Sequence, residues 1–112
     1  MTTQDDTLAQ LNDARDQLTE LILGTTARKG TPEWTALQTV LTQREQLSLQ
    51  INKLLAASFP PDTPALQNAV KTVTQVTGEL HDLDKTLQKI AQWVALASQI
   101  VQAATAVVQL VT

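Results

Sequence analysis

Residues Leu66 to Thr112 read LQNAVKTVTQVTGELHDLDKTLQKIAQWVALASQIVQAATAVVQLVT, and the period of their apolar side chains decides the fold class. Leu66, Ala69, Val73, Val76, Leu80, Leu83, Leu87, Ile90, Val94, Ala97, Val101, Ala104, Val108 and Val111 alternate steps of three and four. All of these positions are apolar, which predicts a helix packed in a left-handed coiled coil against a partner helix. A single helix over 63–111 would approach roughly 70 Å in length.

Outward from this stretch, the same helical signs recur. Leu8, Leu11, Leu18 and Ile22 share one face of a segment over about 5–23, with Thr3 as its cap and Asp5 and Asp6 in its first turn. Gly24 stops it. Thr31-Pro32-Glu33 starts a second helix with a hydroxyl cap, a proline whose missing N–H costs nothing there, and an acid at the positive helix end. That helix is expected over 32–58, with Leu37, Val40 or Leu41, Leu47, Ile51, Leu54 and Leu55 inward and Trp34 near its start. Phe59-Pro60-Pro61-Asp62 ends it, and Thr63-Pro64 repeats the start signal.

The expected fold is therefore all-α and a single domain over 1–112, with loops at 24–31 and 59–62. Two chain traces satisfy the pattern. One is a three-helix bundle whose last 22 residues project as a bare rod. The other is an elongated hairpin in which the first two helices lie end to end along a long third helix.

Composition narrows the function. A net charge of −3, with eight scattered Lys and Arg, offers no basic stripe for nucleic acid. No cysteine is present, which removes disulfides, thiolate zinc sites and thiol nucleophiles. Met1 to Asp6 is polar and acidic and reads as no secretory signal, so a cytoplasmic or membrane-associated location is expected.

Candidate sites resolve mostly into helix chemistry. The Gly24–Gly30 loop with Arg28 and Lys29 lacks the spacing and the preceding strand of a phosphate-binding loop. His81-Asp82-Leu83-Asp84 brings one histidine only, with Asp84 or Lys85 within its reach along a helix. Arg15 and Arg44 fall on apolar stripes. Arg44 either forms a register-setting pair with an acid such as Asp16, Glu20, Asp82 or Asp84, or extends its stem from the edge of the seam. No catalytic residue, cofactor or metal site is expected.

The remaining signal is the uncharged end. Beyond Lys89 there is no charged residue, and Trp93, Leu96, Ile100, Val107 and Leu110 widen the apolar face past what one partner helix covers. The leading expectation is self-association, as a scaffold or assembly protein, through Trp93, Val94, Ala97, Ile100, Val101, Ala104, Val107, Val108 and Val111. A membrane-active protein, anchored by its tail or forming a helical pore, is the alternative, because Ile90 to Thr112 is long enough for a hydrocarbon core of about 30 Å. A further alternative is an adaptor that binds a different helical protein.

Overall fold

The computed structural model describes residues 4–60 and 63–112. Within them the chain forms four α-helices, α1 (Gln4–Gly24), α2 (Pro32–Leu55), α3 (Pro64–Asp82) and α4 (Ile90–Val111), with one 3-10 turn at Leu87–Lys89 before the last. The start signals act as the sequence suggests. Thr31 accepts from the Trp34 N–H and Thr63 from the Leu66 N–H, each at 3.2 Å, and a proline follows both caps. The connection between α1 and α2 closes at Gly30, whose φ of 90° suits a residue without a Cβ. The Thr3 cap, and Pro61 and Asp62 of the second break, lie outside the described residues. α2 ends at Leu55, short of Ser58.

The four helices make a bundle in which α1 packs on α2 and α3, and α4 packs on α2 and α3, with α1 and α4 across the diagonal. Hydrogen bonds give the directions. Gln4 donates to the Leu54 and Ala57 carbonyls at 2.8 Å and Arg44 donates to the Thr19 hydroxyl, so α1 and α2 are antiparallel. Thr77 reaches the Gln10 carbonyl and His81 meets Asp13, so α1 and α3 are parallel. The two hairpins are offset along the axis. Gln43 of α2 donates to the Val94 carbonyl of α4, yet α2 begins about seven residues before the level at which α4 starts, so the α1–α2 tip overhangs by roughly 10 Å.

The single helix expected over 63–111 is instead two. Helix α3 stops at Asp82, where Leu83 turns extended (φ −87°, ψ 130°), and Asp84 to Thr86 carry the chain round. Asp and Thr side chains compete for backbone hydrogen bonds, and Glu79 and Asp82 sit at the negative end of α3, so this is where a helix is weakest. Folding back also brings α4 onto α2 and α3. Burying Trp93, Ile100 and Val107, each fully enclosed, contributes about 1.5–3 kcal/mol apiece, more than the few solvent-exposed helix bonds lost at the break. The expected all-α class therefore holds and the chain is a helical bundle, but neither chain trace holds in full: the last 22 residues are no bare rod, and helices one and two do not lie end to end.

The break also resets the phase of the apolar stripe. In α3 the expected positions Leu66, Val73, Val76 and Leu80 are buried. In α4 the enclosed line runs through Trp93, Ala97, Ile100, Ala104 and Val107, while Val94 and Val101 of the expected heptad only flank it. In α1 the core takes Ala14 and Leu21 and leaves Arg15 and Ile22 half-buried.

Candidate interaction surface

Of the residues expected to meet a partner, Trp93, Ala97, Ile100, Ala104, Val107 and Val108 are buried within their own chain. Val94, Val101 and Val111 are half-buried and packed against the core. The expectation that this face lacks cover is corrected: α2 and α3 supply it, which the fold-back makes geometrically possible.

The N-terminal end of α4 is tied down by neighbouring polar contacts. The Trp93 indole N–H donates to the Asp84 carbonyl at 2.8 Å, and Lys85 stands with its Nζ 6.0 Å from the Trp93 ring centroid. Lys85 also pairs with Glu20 at 3.5 Å. One stretch of chain around the break is thus held to both α1 and α4. His81, one turn back, contacts Asp13 and not Asp84 or Lys85. Arg44 finds no carboxylate partner within 4.0 Å among the described residues and bonds the Thr19 hydroxyl instead, while Arg15 bonds Asn12 at 2.8 Å. The register-setting ion pair is therefore absent there.

What α4 offers to solvent is its opposite side: Ala91, Gln92, Ala95, Gln99, Gln102, Gln109 and Leu110. This arc has no charge. The exposed sides of the other helices do carry charge, with Asp16 and Glu20 on α1, Glu45 and Lys53 on α2, and Lys71 and Glu79 on α3. At its upper end the arc meets α3 in an open groove of about 440 Å³ lined by Glu79, Asp82, Leu83, Gln92, Ala95 and Leu96. A smaller hollow of about 190 Å³ lies on the α1–α2 side among Thr19, Ile22, Leu23, Leu41 and Arg44.

Sequence periodicity marked the side of α4 that its own chain covers, because a heptad marks which residues leave water and not which chain covers them. The uncharged outer arc was visible as the Gln92, Gln99, Gln102 and Gln109 strip. The groove was not, since it needs α3 folded against α4. Among the described residues no cluster of three His, Cys, Asp or Glu side chains could hold a metal ion. By length and composition Leu87–Val111, 25 residues, could cross a membrane, and 33% of its most apolar window is buried. No family model, curated protein or solved structure matches the chain.

Proposed function

We propose that this protein is a non-enzymatic helical module that self-associates through the outer, uncharged arc of α4. The observation that carries the reading is the absence of any Asp, Glu, Lys or Arg from a 22-residue helix that keeps one side in water. A solvated helix side normally carries charge. A neutral side costs less to desolvate against another surface. Glutamine amides both donate and accept, so a strip of Gln92, Gln99, Gln102 and Gln109 is complementary to a copy of itself, as a symmetric contact requires. Ala91 and Ala95 let the approaching backbone come close. The contact thus belongs to the side facing away from the buried stripe.

Sedimentation of the intact protein over a wide concentration range tests this. Concentration-dependent mass is expected, reduced when Gln99→Glu and Gln102→Glu put like charges on the arc. A single monomeric species at all concentrations would remove the proposal.

A second reading is favoured by the length and apolarity of Leu87–Val111. In it the bundle opens at the 83–86 connection and α4 enters a bilayer, with its glutamines turned to neighbouring helices and away from lipid. Flotation with vesicles and release of trapped dye are its signatures. Protein that stays in the aqueous fraction with vesicles of neutral and of anionic lipid would end it.

A further inference from the structure

The α1–α2 tip and the α3–α4 groove match in chemistry. Leu23 is 81% exposed, the most exposed large apolar side chain among the described residues. It stands about one helical turn past Glu20, where Lys85 crosses, and so clear of α3. A few residues on, Arg28 and Lys29 are exposed and engage in no ion pair among the described residues. The groove has the reverse character. Leu83, Ala95 and Leu96 give it an apolar floor, and the exposed carboxylates of Glu79 and Asp82 stand at its edge, also without an ion pair among the described residues. Lys85, close in sequence to Asp82 and Leu83, is engaged elsewhere, between Glu20 and the Trp93 ring.

We infer that the groove receives the tip of a second copy of this chain, with Leu23 on the apolar floor and Arg28 and Lys29 against Asp82 and Glu79. The inference rests on the self-association reading and adds to the arc contact a second one, between unlike patches of the two copies. A tip and a groove are different patches of one surface, so two copies that exchange tips close into a dimer, and one-way docking extends into a chain. The overhang of the α1–α2 hairpin, roughly 10 Å, gives the tip room to reach a neighbour without displacing its own helices. The opposed charges fix orientation and speed encounter, and their effect weakens with salt.

The test compares sedimentation of the intact chain with two double variants, Arg28→Glu with Lys29→Glu, and Glu79→Lys with Asp82→Lys. All four side chains are exposed, and circular dichroism checks that helix content is kept. Each double variant alone should associate about tenfold more weakly, and an equimolar mixture of the two should recover mixed complexes of near wild-type strength. Leu23→Asn should weaken association as well. Wild-type association that none of these changes alters overturns the tip-and-groove contact while leaving self-association through the arc intact. A wild-type protein that is monomeric throughout overturns both.

Discussion

The indole N–H of Trp93 donates to the backbone carbonyl of Asp84, 2.8 Å away, so a side chain enclosed in the core also fastens the turn that divides α3 from α4. One residue joins the packing of α4 to the geometry of the break. The turn and the fourth helix are expected to loosen together.

Trp93→Phe keeps most of the ring and removes the donor. Stability should fall by about 1–3 kcal/mol, from the lost bond, a carbonyl left with poorer partners and some lost volume. Amide exchange at 83–89 should quicken while the middle of α2 is unaffected. Unaltered exchange there would mean that the turn is held by its other contacts.

Charge in the α4 stripe should unfold the molecule itself, beyond any effect on contacts between copies. Ala97 and Ala104 are fully buried against helices of the same chain. Ala97→Glu with Ala104→Glu buries two carboxylates without partners, a cost of several kcal/mol against a usual stability of about 5–15 kcal/mol. Circular dichroism and urea titration should report loss of the cooperative transition. A folded monomer with a normal midpoint would show that α4 packs elsewhere.

Gln17 is 7% exposed and its side-chain carbonyl has no hydrogen-bond partner among the described residues. Gln17→Met removes a buried acceptor at similar volume and should raise the urea midpoint, by up to about 1–2 kcal/mol in stability. A clear drop in the midpoint would mean that the amide makes contacts worth more than its desolvation.

The Lys85–Glu20 pair should matter little to stability. Its side chains are 33% and 60% exposed, so water screens the attraction. Glu20→Gln should cost less than about 1 kcal/mol, and less still in high salt. A double-mutant cycle with Lys85→Met that returned several kcal/mol would show the pair to be far better shielded than its exposure implies.

By itself, the sequence determined that the chain is helical and where α2 and α3 start. Thr31-Pro32 and Thr63-Pro64 cap helices because a hydroxyl beside a proline satisfies the first turn wherever the chain goes next, and this is local chemistry. Its apolar period likewise marked which residues leave water, and all of the expected positions from Leu66 to Val111 are buried or half-buried. Only the tertiary structure decided the rest. A stripe with steps of three and four looks the same in one long helix as in two helices folded on a shared core, so the shift from Val94 and Val101 to Trp93 and Ile100 and the cover of α4 by its own chain had no local signature, and the weak helix signals around Asp82 to Thr86 became a break only because α4 packs back on α2 and α3. Those features follow from packing four apolar faces together at once, a condition that no single segment carries.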